Sequence, residues 1–548
     1  MSVLLSRSNA LNAPGAYQFW LAVTGTPPPN EPDRKLPNLA KRLENAFVAE
    51  RETWWRLGRV LSEEPTADAA HMPTAGSFGS DFGIMLAWSR LVGELAGTDG
   101  APTLVLCDDP WLFRHLAALP GVDAGQAPSV SVASLRLAFR GLLARCRVAF
   151  RAAAAAIGLR GAQRVMGAGD SVILVYGHPS SDAAGHDAYF GDLMARFTGL
   201  RRLLHTDCGA QRARELGADG RTASLHAWGH PLFVLRLIGC RWQPGRMHLQ
   251  GPFGWLVLRA AAVENGGGGP AMNLWQRHCQ NRWLRAARPA RVLWPWENHG
   301  WERNLCRAGR RHGVRLIGYQ HTVIGPHQFN YATATNHDGT TSIPDVVVAN
   351  GPVYRDEMLA WGVPAERLVI GGAFRFPRFA EGLFDPEGPV FVPFSPVAAI
   401  ARAQLEVARA LSRRGRRVLV KPHPMYPVAF ETGAGLELSD RPLAEQTGLS
   451  AVLYGTGTSG LEAVLMGLPA YRLMADDRIA IDVLPTWVTA AAVTPEDAVE
   501  AILEGRAPHE RVRREDILGE PDLGLWRRLL FGDMNGAATV TSETKQAS

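Results

Sequence analysis

Residues Ser450–Leu473, SAVLYGTGTSGLEAVLMGLPAYRL, decide the fold. Ser450–Tyr454 is an apolar run of strand length, and Gly455–Gly460 is too rich in glycine to continue it. Leu461 and Leu465 resume at helical spacing with Glu462 between them, and a second apolar run closes the segment at Leu473. The stretch reads strand, turn, short helix, strand, with Ser459 or Thr458 as the helix cap. A hydroxyl-rich turn ahead of a helix presents free backbone N–H groups, hydroxyl donors and the positive end of the dipole. It is either a plain capped turn in an α/β sheet or a seat for an anion, and a phosphate is the usual tenant.

The same alternation extends outward from this segment. Strands are predicted at Arg291–Trp294, Val314–Tyr319, Asp345–Ala349, Leu368–Gly371, Val390–Pro393 and Arg417–Val420, with helices at Trp301–His312, Val353–Trp361 and Ala398–Arg413. Thr103–Cys107 and Ser171–Tyr176 read as two earlier strands. Strands alternating with helices imply parallel sheets with helical faces. The Pro- and Gly-rich break at Ala373–Pro389 is the expected hinge between two such sheets. Residues 266–270, Gly-Gly-Gly-Gly-Pro, lie between two helical patterns and read as a flexible linker, not a phosphate loop. No internal repeat is present.

Ligands bind outside the carboxyl ends of strands in an open parallel sheet. Four polar clusters fall there: Glu297-Asn298-His299-Gly300, Gln320-His321-Thr322, Lys421-Pro422-His423-Pro424 and Gly455–Ser459. Each has a plain reading. Glu297 suits the start of a helix, where an acid favours the dipole, and His321 suits a satisfied loop. His-Pro also occurs at His178-Pro179 and His230-Pro231, but only His423-Pro424 directly precedes the hydroxyl turn in the same sheet. Four clusters on two sheets suggest a shared cleft. Asp81-Phe82-Gly83 has no supporting kinase context. No Asp-x-Asp occurs, so the usual carboxylate pair for a divalent metal on a nucleotide-sugar is missing and no metal site is expected.

With 548 residues, 46% hydrophobic and 20% charged, the chain suits two or three globular domains and not wholesale disorder. No apolar run approaches the ~18 residues that span a bilayer, and a cytoplasmic protein is expected. The six cysteines never form a CxxC pair, which argues against structural zinc and a disulfide framework. A net charge of +6 suits an anionic partner such as a sugar nucleotide, an acidic glycan or a lipid surface, and is too dispersed for nucleic acid.

One helix stands apart. At about 100° per residue, Leu135–Arg151 gathers Arg136, Arg140, Arg147 and Arg151 within a ~60° arc beside Leu135, Phe139, Leu142, Leu143, Cys146 and Phe150. Such a helix either lies on an anionic inner-membrane surface or packs its apolar stripe on a core and leaves solvated arginines outside.

The ordered set ENHGWE, GYQHT, KPHP and YGTGTSGLEAVLMGLP resembles bacterial surface-polysaccharide glycosyltransferases of the GT-B fold. It is most similar to the sialyltransferase and Kdo-transferase group, which uses CMP-activated 2-keto sugar acids. The resemblance covers about residues 290–485, with Tyr189-Phe190-Gly191 a looser match upstream. It implies two facing Rossmann-like domains with the active site between them. The boundaries are a mostly helical extension over 1–100, an acceptor domain over 101–375, a nucleotide-sugar domain over 376–531 and a disordered tail over 532–548. It also implies Glu297 as the catalytic base, His423 as phosphate donor, and Thr458 with Ser459 as the phosphate turn. Lys421, Pro424, Gly455 and Thr456 lie in the same nucleotide motifs, and Glu462 matches the acid such enzymes place on the ribose. The family's paired acids are here Glu-Asn-His-Gly, so Asn298 replaces the second acid, and the base stands between Glu297, His299 and His321. The implied activity is an inverting, metal-independent transfer to a surface glycan or lipid-linked acceptor, with no cofactor beyond the nucleotide-sugar. The alternatives are a CDP-polyol phosphotransferase of similar fold and a catalytically silent glycan-assembly scaffold.

Overall fold

The computed structural model describes all residues except 1–2, 10–16, 29–30, 99–101, 377, 380–383, 424–425, 489, 510 and 533–548. Seventeen strands among the described residues form three sheets, and every pairing between them is parallel. The first sheet holds β1 (Val3–Ser6), β2 (Phe19–Ala22), β3 (Thr103–Leu106) and β4 (Val122–Ala124) in the order β2-β3-β1-β4. The second holds β5 (Ser171–Val175), β6 (Leu200–Leu204), β7 (Thr222–Ser224), β8 (Arg291–Pro295), β9 (Arg315–Gln320), β10 (Val346–Ala349) and β11 (Leu368–Ile370). Its order is β7-β6-β5-β8-β9-β10-β11. The third holds β12 (Val390–Pro393), β13 (Val418–Lys421), β14 (Leu436–Leu438), β15 (Ala451–Tyr454), β16 (Ala470–Leu473) and β17 (Ala491–Val493), ordered β14-β13-β12-β15-β16-β17.

In both larger sheets the chain starts in the middle, runs to one edge, then returns to the centre and runs to the other. That is the doubly wound Rossmann order, with switch points between β5 and β8 and between β12 and β15. Strands covered on both faces read as continuous apolar runs, because alternate side chains enter different cores. Val172, Leu174, Val292, Trp294 and Val347 enter one cluster, while Ile173, Val175, Leu293, Ile317 and Val348 enter another. In the third sheet Phe391 and Val452 oppose Val390, Val392 and Leu453 in the same way. The chain is an α/β protein with two Rossmann-type units, as the alternation of strands and helices implied.

The domain boundaries differ from expectation. Residues 1–100 carry β1 and β2 as well as helices, and β3, expected to open the acceptor domain, lies between them. A division at residue 100 therefore cuts a sheet, and the seven-stranded unit begins only at Ser171. At the other end the helix Leu523–Phe531 returns to this unit. Trp526 is buried with Ile173 and Tyr319 and donates its indole N–H to Gly371 O at 2.9 Å. The glycine run is a tight turn between the helices Gly254–Asn265 and Gly269–Ala287, with Gly266 O accepting from Arg140 Nε at 2.7 Å. Residues 377 and 380–383 of the expected hinge and 533–548 of the tail lie outside the described residues.

The N-terminal unit touches both larger units. Asp68 pairs with Arg307 at 2.8 Å, while Glu44 accepts from the buried Arg472 of β16 at 2.9 Å. All six cysteines are free thiols, and no helix among the described residues is long and apolar enough to cross a membrane.

Candidate active site

Beyond β8 the chain turns sharply through Asn298, whose φ of 59° is left-handed, a region asparagine tolerates better than most residues. Its buried side-chain nitrogen reaches the carbonyls of Asn330 and Ala332 and Oδ1 of Asn336 at 2.9–3.2 Å. An aspartate offers no donor to these acceptors, which accounts for the amide at this position. Glu302, on the first turn of helix Gly300–Arg311, accepts from the backbone N–H of Glu297 (2.9 Å) and Asn298 (3.0 Å) and from the Trp294 indole (3.2 Å). Burial pushes its carboxyl up to about 7, and the Glu297 charge adds to that. Glu302 thus fixes the backbone from which Glu297 projects.

Glu297 stands between two imidazoles. His299 Nε2 lies 3.0 Å from Oε2 and His321 Nε2 lies 3.9 Å from Oε1, while the carboxylate side chain keeps 30% of its exposure. Burial opposes the charged carboxylate, but the His299 hydrogen bond and the charges of His299, His321 and Arg375 outweigh it and hold Glu297 at about 2. His299 shows the reciprocal effect: burial lowers it, and the bond and charge of Glu297 more than restore it, so it lies above its ordinary 6.5. His321 has only the longer contact, and burial takes it to about 4. The three residues named as base candidates are one cluster. Helix-start acid is not the whole role of Glu297; the acid inside the first turn is Glu302.

Aromatic and basic groups from neighbouring strand ends complete the wall. Tyr189 meets His321 edge-on at 4.9 Å, and His205, after β6, lies 4.8 Å from Trp301 and 4.9 Å from Tyr176. His71 stands edge-on to His299 at 5.8 Å and is held at about 4 by burial and by the His299 charge. Residues 1–100, which show no chemistry in sequence, therefore reach the site.

Across the cleft the switch point of the third sheet is held open by the buried Gln404. Its Nε2 donates to Pro393 O (2.9 Å) and Leu453 O (3.1 Å), and its Oε1 accepts from Ser395 N (2.8 Å). The turn that follows β15 departs from expectation. Thr458 occupies the cap position without a side-chain cap bond; its hydroxyl donates to Glu462 Oε1 at 3.1 Å, and Ser459 is the first residue of a helix only seven residues long. Burial raises Glu462, against the Thr458 bond and the Arg375 charge. The buried Thr456 Oγ1 has no partner in the turn, and Gly457 takes φ 141°, which L side chains rarely adopt. Donors of this turn are its backbone N–H groups and the Thr456 hydroxyl, with little help from so short a dipole. Gly455 begins the turn, close against Ser395 and Ile400. Lys421 Nζ is engaged with Asp440 O at 2.7 Å. His423 stacks on Tyr426 at 5.5 Å, and burial lowers its imidazole. Pro424 lies outside the described residues.

The carboxyl edges of the two sheets face each other in direct contact. Asp482 N, in the loop after β16, donates to His327 Nδ1 at 2.9 Å in the loop after β9. Gly325 is required there, because a Cβ would lie 2.3 Å from Asp482 O. Arg375, just past β11, extends into this gap: its guanidinium lies 5.9 Å from the Tyr189 ring centre, and its charge adds to the lowering of Glu297 and opposes the net rise of Glu462. Neither Arg375 nor the His205 and His71 groups stood out in sequence. The strand-end rule applied to β6 and β11 finds His205 and Arg375; nothing local points to His71.

Among the described residues no group of three or more His, Cys, Asp or Glu side chains is arranged to hold a metal ion. A cavity of about 840 Å³ lies elsewhere, between the N-terminal unit and the third sheet, with Trp20, Asp81, Trp88, Val397 and Asp476 in its walls. The displaced carboxyl and imidazole groups, not cavity volume, mark the Glu297 cleft.

No family model matches the chain, and no curated protein matches it in sequence. Among solved structures it is similar to CalG4, the calicheamicin glycosyltransferase, at 13% identity over 63% of this chain and 93% of that one, with a TM-score of 0.37. UGT89C1 of Arabidopsis thaliana, complexed with quercetin, is 15% identical over 61% and 89%, with a TM-score of 0.36. UDP-N-acetylglucosamine 2-epimerase from Rickettsia bellii is 14% identical over 56% and 78%, with a TM-score of 0.31. Likeness this distant carries nothing about activity; the strand order establishes the architecture.

Proposed function

We propose that the chain is an inverting glycosyltransferase that moves a sugar from a nucleotide-activated donor to an acceptor hydroxyl on a surface glycan or lipid-linked chain. The observation that carries this reading is the carboxylate–imidazole cluster of Glu297, His299 and His321 at the carboxyl edge of one sheet, with the open Thr456–Thr458 turn at the carboxyl edge of the other and Arg375 in the gap, 5.9 Å from the Tyr189 ring centre. A ligand whose phosphate lies by Arg375 and the Thr456–Thr458 turn, with its ribose at Glu462, has its reacting sugar carbon toward Glu297.

The acceptor oxygen attacks the anomeric carbon as the bond from that carbon to the phosphate oxygen breaks, and the electron pair leaves with the nucleotide. The hydroxyl proton passes to Glu297, at Oε1, since Oε2 is bonded to His299. Glu302 and Asn298 act by holding Glu297 in place. Arg375, His423 and the turn donors stabilise charge on the departing phosphate, in the manner of preorganised dipoles.

The finer reading is a CMP-activated 2-keto sugar acid of the sialic acid or Kdo type, used without a metal. It is supported by the lack of an Asp-x-Asp pair in the sequence, the usual carboxylate pair for a metal on a diphosphate. Thermal melting with CMP, UDP, GDP and ADP tests it. CMP is expected to raise the melting temperature most, by the equivalent of about 2.7 kcal/mol at 100 times its Kd, independent of magnesium, and Arg375→Ala to remove the shift. A larger shift with UDP or GDP overturns the CMP donor; no shift with any nucleotide overturns the transferase reading.

A further inference from the structure

The 30-residue helix Val130–Leu159 is packed inside out. Its inward face is small: Gly141, Ala149, Ala152, Ala155 and Ala156 are buried. Leu159 is buried at its end and Leu137 and Val148 are half-buried, but most of its large apolar side chains point to solvent, with Leu135 73%, Phe139 63%, Phe150 77% and Ile157 66% exposed. At about 100° per residue these four lie with Val132 and Leu143 in an arc of about 80°. Arg136, Arg140, Arg147 and Arg151 form a row along one border of that arc, and all four are exposed. The fifth arginine, Arg145, is turned inward to Ile238 O (2.8 Å) and Asn265 O (2.9 Å), and the helix has no acidic residue. Leu232, Leu235 and Arg236, in the segment packed beside it, extend the same composition, with both leucines more than 65% exposed.

Leaving two phenylalanines and several aliphatic side chains in water along one helix is unfavourable by the hydrophobic effect, so the stripe calls for a cover. A second copy is a poor one. Pairing the stripe with itself brings two rows of arginines together with no carboxylate on either helix to offset them. An anionic lipid surface matches both parts: acyl chains take the Phe and Leu side chains, and phosphate headgroups take the arginines, which snorkel from the apolar boundary.

We propose that Val130–Leu159 is an interfacial membrane-docking helix that binds anionic phospholipid and lies in the plane of the bilayer surface. The sequence pattern left open whether the stripe packs on a core; the alanine face occupies that place instead. The inference does not rest on the reaction assigned to the cleft, and nucleotide-induced melting shifts report that reaction separately.

The test is flotation of the full chain with phosphatidylcholine vesicles, with and without phosphatidylglycerol. Binding is expected only with phosphatidylglycerol present and is expected to weaken at high salt. Arg147→Gln with Arg151→Gln lowers partitioning about 25-fold, or about 5-fold per charge. Phe139→Ser with Phe150→Ser lowers it about 100-fold or more. Both pairs are exposed, so unchanged melting temperatures verify the fold. The proposal is overturned if the native chain ignores anionic vesicles or if the Phe pair leaves partitioning unchanged. It is likewise overturned if the native chain sediments as a dimer that the Phe pair dissolves, which would assign the stripe to a second copy.

Discussion

Replacing Glu297 by Gln separates charge from shape. The amide keeps an oxygen that accepts from His299 Nε2–H at the 3.0 Å position but removes the negative charge that raises the imidazole. Burial then governs His299, as it already governs His321, which sits at about 4 with Glu297 3.9 Å away. His299 is expected to fall from above 6.5 to below it, and the hold on Glu297 that the variant removes, from 4.5 down to about 2 at 1.36 kcal/mol per pH unit, is worth about 3 kcal/mol. Stability shifts with a definite sign. Glu297, held below its ordinary 4.5, stabilises above that pH and loses its contribution as pH falls toward 2; His299, raised above 6.5, stabilises fully below 6.5 and loses its contribution as pH rises. The variant is therefore most destabilised between about pH 4.5 and 6.5 and converges on the native chain outside that window. Turnover, measured with the donor that melting identifies, is expected to drop at least about 100-fold. In the native chain turnover should rise with pH through the His299 titration, because loss of that proton makes Glu297 a stronger base. The assay is NMR titration of chains carrying carbon-13 histidine, with His299→Gln to assign the signal among 16 histidines. A His299 that still titrates above 6.5 in Glu297→Gln refutes the coupling, and undiminished turnover refutes Glu297 as the base.

Two further outcomes follow from groups around the cleft. Glu302 has its carboxyl raised to about 7, so its contribution is fully present below 4.5 and is lost as pH rises through about 7. Gln at this position still accepts the three N–H bonds and stays neutral, so Glu302→Gln is expected to gain about 3 kcal/mol relative to the native chain between pH 4.5 and 8, read from thermal unfolding; parallel pH profiles would refute the buried-acid account. His423 is lowered by burial, so it must take up a proton to give a charge-assisted bond to phosphate. Nucleotide binding by calorimetry should tighten as pH falls, and His423→Ala should weaken it roughly 10- to 150-fold and flatten the pH dependence. Equal affinity in the variant moves the phosphate away from His423.

What the sequence determined by itself was the material that repeats locally. Apolar runs at Arg291–Trp294, Val390–Pro393 and Ser450–Tyr454 announce buried parallel strands, because a strand covered on both faces has no polar side to show. The strand-end rule then singled out Glu297, His299, His321, His423 and the Thr456–Ser459 turn as candidates without any knowledge of how strands pair. Tertiary structure decided the rest, for reasons absent from local pattern. β3 joins β1 and β2 through pairing across about 100 residues, so no local composition marks the N-terminal sheet. Thr458 turns to Glu462 and not to a cap because the hydroxyl finds a buried carboxyl one turn on. His71 and Arg375 reach the cleft from distant segments. The polarity of Val130–Leu159 is the sharpest case: its arginine and leucine spacing is visible to anyone counting residues, but which face turns inward depends on what the neighbours can accommodate. A Cβ at position 141 would lie 2.0 Å from Asn265 O, so the inward face has no room there for a larger side chain, and only the folded chain states that.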